Sequence, residues 1–196
     1  MKFRYLLISF LVLLTFANVN AGPDNDIQYE FGIAPGMLFS GDIYVSLHGG
    51  NVKQNSNYLI RSYADAFIIP RLAFGVYFNY SSLNLEKDVT VFGETIKKSG
   101  TPIWEIGGAI KPRFVLNEKI TVKPGFNIGH RRFSGDSKFT KWKGLAMNAS
   151  CEFQYSISEK MRIISETGFL YQPYGGNVDT DITFDPMFYM VFGIGF

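Results

Sequence analysis

The nine residues Phe188-Tyr-Met-Val-Phe-Gly-Ile-Gly-Phe196 constrain this chain more than any other stretch. Counting back from Phe196, Ile194, Phe192, Met190 and Phe188 are apolar, and Gly195, Gly193, Val191 and Tyr189 lie between them. A period of two with one greasy face is a strand, because successive side chains of an extended chain point to opposite faces. Such a face must be covered, either by more protein or by lipid.

The opposite end reads differently. Lys2 and Arg4 give a positive start, Tyr5–Phe16 an apolar middle and Val19-Asn20-Ala21 a small-residue cleavage site. That is the pattern of a secretory leader over 1–21, with a single domain expected over 22–196. The apolar middle is shorter than the ~20 residues a spanning helix needs, which argues against a retained anchor. Without Lys2 and Arg4, 17 basic residues face 17 acidic ones. A neutral mature chain lacks the basic excess of a nucleic-acid binder. Cys151 is the only cysteine, so neither an internal disulfide nor a multi-cysteine metal site can form. Beyond the leader there is no apolar run of the ~18 residues that mark a spanning helix. If the mature chain crosses a membrane, it does so with strands closed into a barrel.

Eight strands are expected: Gln28–Phe39, Tyr58–Ile69, Leu72–Ser82, Pro102–Val115, Ile120–Arg132, Gly144–Ile157, Met161–Gln172 and Pro186–Phe196. At 11 to 14 residues, each meets the ~9–11 a tilted strand needs to cross a bilayer. The connections alternate. Pro70-Arg71, Leu116–Lys119 and Ser158–Lys160 are short, whereas Ser40–Asn57, Leu83–Thr101, Phe133–Lys143 and Pro173–Asp185 are long. Short turns on one side and long loops on the other describe a transmembrane barrel with both termini on the periplasmic side. Ile43–Gly49 and Val89–Lys97 also have strand composition. They are expected to be hairpin extensions above the membrane, with a ten-stranded barrel as the alternative.

The polar face decides which side faces lipid. In the fourth strand Trp104, Ile106, Ile110 and Phe114 oppose Glu105, Gly107, Ala109, Lys111 and Arg113; in the sixth, Leu145, Met147 and Phe153 oppose Ala146, Asn148, Ser150, Glu152 and Gln154. A water-exposed sheet face seldom carries so much glycine, which weakens strands. A crowded barrel interior suits it. The large aromatics, 16% of the chain with tyrosine and tryptophan, then face lipid. Trp104, Tyr171, Phe39 and Phe188 mark an outer aromatic girdle, and Phe114, Tyr155 and Phe196 an inner one. The second strand is ambiguous, and its charges settle it: Arg61 and Asp65 on the lipid face would cost several kcal/mol near the midplane, of order 2–4 each for a cation.

The inward set then holds Glu30, Asp65, Glu105, Glu152 and Glu166 against Arg61, Lys111, Arg113, Lys123, Arg131 and Arg162. A lumen of eight strands is only wide enough for side chains to fill it. A plugged, charge-paired interior is therefore expected, with a narrow polar channel as the competing reading. A turn centred on Glu118 sets Arg113 against Lys123 and Pro112 against Pro124, so like charges face each other and a bulge is expected.

These features together resemble the small bacterial outer-membrane β-barrels of the OmpX, OmpA-domain and OmpW kind. The resemblance implies an eight-stranded antiparallel up-and-down transmembrane β-barrel in the outer membrane; no cofactor or metal is expected. It also implies that the terminal strand, through Phe192, Ile194 and Phe196, is read by the barrel-assembly machinery. Function in that group covers structural stabilisation, adhesion and passage of small solutes. The expectation is a monomeric structural or surface-interaction barrel; the alternative is a narrow channel or transporter for a small, hydrophobic solute. Arg132, Lys138, Lys141, Trp142 and Lys143 form a basic, aromatic loop suited to lipopolysaccharide phosphates. Simple solvation is the stronger reading of that loop, because exposed charge runs usually have no partner. Catalysis is not expected: His48 and His130 are the only imidazoles, and His130-Arg-Arg-Phe-Ser134 does not match the His-x-Ser arrangement of the lipid A deacylase family. Asn177, Asp179, Asp181 and Asp185 are read as solvated acids rather than a calcium loop.

Overall fold

A computed structural model describes residues 27–45, 50–91, 94–96, 99–134, 143–176 and 182–196. The leader lies outside the described residues. So do His48, Asp136, Lys138, Lys141, Trp142, Asn177, Asp179 and Asp181.

The described strands are β1 (Gln28–Leu38), β2 (Gly41–Val45), β3 (Gly50–Gln54), β4 (Asn57–Ile69), β5 (Leu72–Asn84), β6 (Val89–Val91), β7 (Glu94–Ile96), β8 (Ser99–Pro112), β9 (Phe114–Val115), β10 (Ile120–Phe133), β11 (Lys143–Ser156), β12 (Arg162–Gly176) and β13 (Ile182–Gly195). Eight of them close a ring in the order β1-β4-β5-β8-β10-β11-β12-β13, and β13 pairs back onto β1. Every neighbouring pair is antiparallel. Closure leaves no open edge, which is what lets strands cross a bilayer with their backbone groups satisfied.

The strand faces follow the charges. In β4, Leu59, Arg61, Tyr63, Asp65 and Phe67 are buried, while Tyr58, Ile60 and Ile68 are exposed. Phe74, Val76, Ile106, Ile110, Phe126, Ile128, Phe153, Ile163, Phe169 and Phe192 form an exposed apolar belt. This inverts a soluble barrel, because the surrounding solvent is acyl chain.

The structure departs from the sequence expectations in two places. The first concerns Ile43–Gly49. The hairpin is there, β2 with β3, but it begins earlier than that stretch and carries on the barrel wall beyond β1 and β4. Gly41 pairs with Gln54 and Asp42 with Lys53, in the same register that pairs Leu38 with Asn57. On its other side β2 pairs with β13 through Val45 with Ile182 and Ile43 with Phe184. The inward face also switches parity here. Leu38 and Leu59 point inward, and so do Ile43 and Gln54. The odd residues are absorbed at Phe39–Ser40 and Asn55–Ser56, between the strands, and by a register shift in β13 around Pro186. A proline inside a strand is tolerated at such an irregularity, where no ladder donor is needed. Val89–Lys97 does contain a separate hairpin, β6 with β7. The ten-stranded barrel is not the observed one.

The second departure is at Pro112 and Pro124. Pairing stops after Ile110–Phe126 and resumes at Phe114–Val122 with unchanged register. The wall opens a gap rather than forming a bulge. Two prolines facing each other remove donors from both strands at once, so neither strand gains from taking an extra residue.

Candidate functional site: the lumen and its outer rim

The lumen has two parts stacked along the barrel axis. The periplasmic part is ionic. Lys123 Nζ lies 2.8 Å from Glu30 Oε2, 2.8 Å from Glu152 Oε1 and 3.4 Å from Asp65 Oδ2. Lys111 Nζ lies 2.9 Å from Asp65 Oδ2 and 3.3 Å from Glu152 Oε2. Two ammoniums thus interleave with three carboxylates. This answers a like-charge problem, because Glu30 and Asp65 stand directly opposite across β1 and β4. The other oxygen of Glu30 faces the periplasmic mouth, with Arg162 Nη1 at 3.0 Å and Arg113 Nη2 at 3.8 Å. Arg113 and Lys123 therefore share one carboxylate, which removes the repulsion their register implies. Arg113 and Arg162 keep 16% and 19% of their side chains exposed; the other bases of the set are buried.

Above this cluster the pairs are simpler. Arg61 Nε donates to Glu166 Oε2 at 2.9 Å, and Arg131 Nη2 donates to Glu105 Oε2 at 2.8 Å. Asn79 links them, accepting from Arg61 Nη1 at 3.0 Å and donating to Glu105 Oε1 at 3.3 Å. Asn148 donates to Glu105 Oε1 at 2.8 Å, and Arg131 Nη1 reaches Gln172 Oε1 at 3.3 Å. Glu152 and Glu166 also face each other across β11 and β12, each turned to its own cation. Buried charges are tolerated only when paired and hydrogen-bonded in this way.

Three tyrosines outside the expected charge network complete the column, Tyr63 and Tyr77 on their expected inward face and Tyr189 beside them. Tyr63 lies across from Gly32, Tyr77 from Gly107 and Tyr189 from Gly168. A Cβ at Gly32 would meet the Tyr63 ring, and one at Gly168 the Tyr189 ring. The missing side chains leave room for the rings of Tyr63 and Tyr189, and Gly129 leaves room for the Tyr77 hydroxyl. The rings then carry the cations: Lys111 Nζ is 3.8 Å from the Tyr63 centroid, and Arg61 is 4.9 Å from that of Tyr77 and 5.7 Å from that of Tyr189. Tyr63 donates to Glu152 at 2.9 Å and Tyr189 to Glu166 at 2.7 Å. Inward parity plus a glycine on the neighbouring strand is the signal that would have found them.

The extracellular part of the lumen is apolar. Leu38, Ile43, Val45, Val52, Leu59, Leu83, Leu85, Ile103, Phe133, Leu170, Phe184 and Met187 form one buried cluster. Phe133 stacks on Phe184 with centroids 5.7 Å apart. Where the two parts meet, a cavity of about 10 Å³ lies between Gln54, Asn79, Ser81, Glu105, Arg131 and their apolar neighbours. That is about the room one water needs.

The outer surface carries the girdle residues. Phe39 packs on Phe188 at 5.3 Å and Tyr58 on Tyr80 at 6.1 Å. Arg132 and Lys143 are exposed and directly opposite each other across β10 and β11. The Arg132 guanidinium is 5.9 Å from the Trp104 ring, and Trp104 Nε1 donates to Ser134 Oγ at 3.0 Å. His130 points outward, and Ser134 is engaged by Trp104. Asp185 is exposed. At the periplasmic rim Phe192, Ile194 and Phe196 are exposed, and Phe196 exchanges backbone hydrogen bonds of 3.0 and 2.8 Å with Phe31.

No family model and no curated protein matches this chain. Solved structures do. The outer membrane protein OprG from Pseudomonas aeruginosa superposes with a TM-score of 0.55 at 10% identity, over 90% of this chain and 98% of that one. Neisserial surface protein A superposes with a TM-score of 0.52 at 12% identity, over 85% of this chain and 94% of that one. At such identities the likeness speaks for the fold. The chain folds as a small eight-stranded antiparallel β-barrel of the bacterial outer-membrane kind.

Proposed function

We propose that this is an outer-membrane barrel with a closed, charge-paired interior, acting as a structural or surface-interaction protein through its extracellular loops. The stacking of an apolar cap on an ionic column carries this reading. A permeant ion would have to break the pairs of Glu30, Asp65 and Glu152 and then cross a mainly apolar cluster bordered by the buried amides of Gln54 and Gln172. The junction cavity leaves room for about one water. The barrel is read as a monomer without catalytic machinery. It is exported by a cleaved leader and delivered by the assembly machinery through Phe192, Ile194 and Phe196. In planar bilayers the purified barrel is expected to give no steady conductance steps; regular steps would overturn the closed reading.

The apolar cap also favours a second reading, passage of a small hydrophobic solute. Beside the cap, the pairing of β1 with β4 is interrupted at Phe39–Ser40 and Asn55–Ser56. A deletion strain separates the two. Changed detergent sensitivity or adhesion with unchanged solute uptake supports the structural role, and the reverse supports transport.

A further inference from the structure

The outer rim holds a pair of cations that no other described residue neutralises. Arg132 and Lys143 are directly opposite on adjacent strands, both exposed, and neither makes an ion pair among the described residues. Like charges in that position repel. Inside the lumen, where Glu30 faces Asp65 and Glu152 faces Glu166, cations sit against each carboxylate. At the rim, the outward-facing neighbours Trp104, Ile106, His130, Leu145 and Tyr174 include no acid.

Height fixes what surrounds this pair. From Ile120 to His130, β10 rises ~3.3 Å per residue at a tilt near 40°, which spans about 25 Å, the height of the apolar band of such barrels. Ile106, Ile128 and Leu145, just below, are exposed apolar side chains of that band. Arg132 and Lys143 therefore sit one step above it, at the level of the outer-leaflet headgroups. Around the rest of the rim, this level is aromatic, as at Phe39, Phe188, Tyr58 and Tyr80. Here Trp104 props the Arg132 guanidinium from one side, and Tyr174 stands exposed on the next strand beyond Lys143.

We infer that Arg132 and Lys143 form a clamp for the phosphate of an outer-leaflet glycolipid, with Trp104 and Tyr174 as its aromatic flanks. A guanidinium offers two parallel N–H donors to a phosphate, and an ammonium beside it adds a point charge. A phosphate at this point cancels the cross-strand repulsion, and its acyl chains continue down the apolar belt below. This names the partner site of the surface-interaction barrel and rests on that reading.

The test uses the folded full-length mature barrel in detergent, titrated with bisphosphorylated lipid A and with dephosphorylated lipid A. Phosphorylated lipid A is expected to bind, with affinity falling as salt rises, and the double variant Arg132→Gln, Lys143→Gln is expected to bind about tenfold more weakly. The variant Lys119→Gln, Lys160→Gln, in the short periplasmic turns, is expected to bind like the wild type. Inorganic phosphate is expected not to compete at millimolar concentration. Equal binding of both lipids, equal loss in both variants, or full competition by inorganic phosphate would overturn the clamp. Heat-modifiable gel migration reports that each variant is folded. A second readout needs no rim variant: in a Trp142→Phe background, Trp104 fluorescence should shift with phosphorylated lipid A alone, and no shift would sink the proposal. Conductance of the wild-type barrel would count against the closed reading and leave this lipid result untouched.

Discussion

The two halves of the lumen solve the same problem with opposite chemistry. Both fill a ring of eight strands that is only wide enough for side chains. The periplasmic half does so with Lys111, Lys123, Arg61 and Arg131 interleaved among five carboxylates. The extracellular half uses leucine, isoleucine, valine, phenylalanine and methionine. The apolar half resembles a soluble core and tolerates some change of volume. The ionic half is intolerant of any change that removes one partner, since a stranded charge is left with nothing to replace its water.

The largest effect should come from Lys123→Met. It strips the central cation from Glu30, Asp65 and Glu152, and should cost about 3–5 kcal/mol. Urea unfolding in lipid, read by gel migration, should find the variant largely unfolded at neutral pH. Acidification should partly restore it, because protonated carboxyls no longer need the ammonium. A variant as stable as wild type would erase the contrast between the halves. Met187→Ala probes the other half. Met187 is fully buried in the cap, so the loss should be about 2–5 kcal/mol from lost burial and the cavity left behind, with no pH dependence over the carboxylate range.

Gly75→Ala sharpens the comparison. A Cβ there would overlap Asp65 Oδ1, so even one methyl should perturb the ion cluster, by about 1–3 kcal/mol as overpacking does. Leu83→Ile, of equal volume in the cap, should stay under about 1.5 kcal/mol in the same unfolding assay. Arg113→Ala should have the smallest effect, under about 1 kcal/mol, because the side chain is partly hydrated and Glu30 keeps Arg162 and Lys123. A large loss at Arg113 would mean that the mouth belongs to the buried network.

Much of the ionic half was legible in the chain. Each of Glu30, Arg61, Asp65, Glu105, Lys111, Lys123, Arg131, Glu152 and Glu166 sits on the inward parity of a regular strand, and burial follows that parity. What could not be read was pairing across the lumen. Tyr63 and Glu152 are 89 residues apart, and only closure of the ring brings them to 2.9 Å. The apolar half was hidden for another reason. Its strands shift parity at Phe39–Ser40, Asn55–Ser56 and Pro186, so Ile43, Val45 and Val52 fall outside a strict two-residue count. Alternation carried past an irregularity assigns the wrong face.

Arg131 and Arg132 show where the division lies. The sequence determined that these neighbours point opposite ways, because side chains alternate along any strand. It determined the barrel class too, through greasy faces too short and too regular to be helices. The tertiary structure decided what each arginine meets. Ring closure set Arg131 against Glu105 inside, and strand pairing set Arg132 against Lys143 at the lipid boundary. A strand specifies the direction of its side chains by itself, but its neighbours are fixed by register and closure, which are properties of the whole ring.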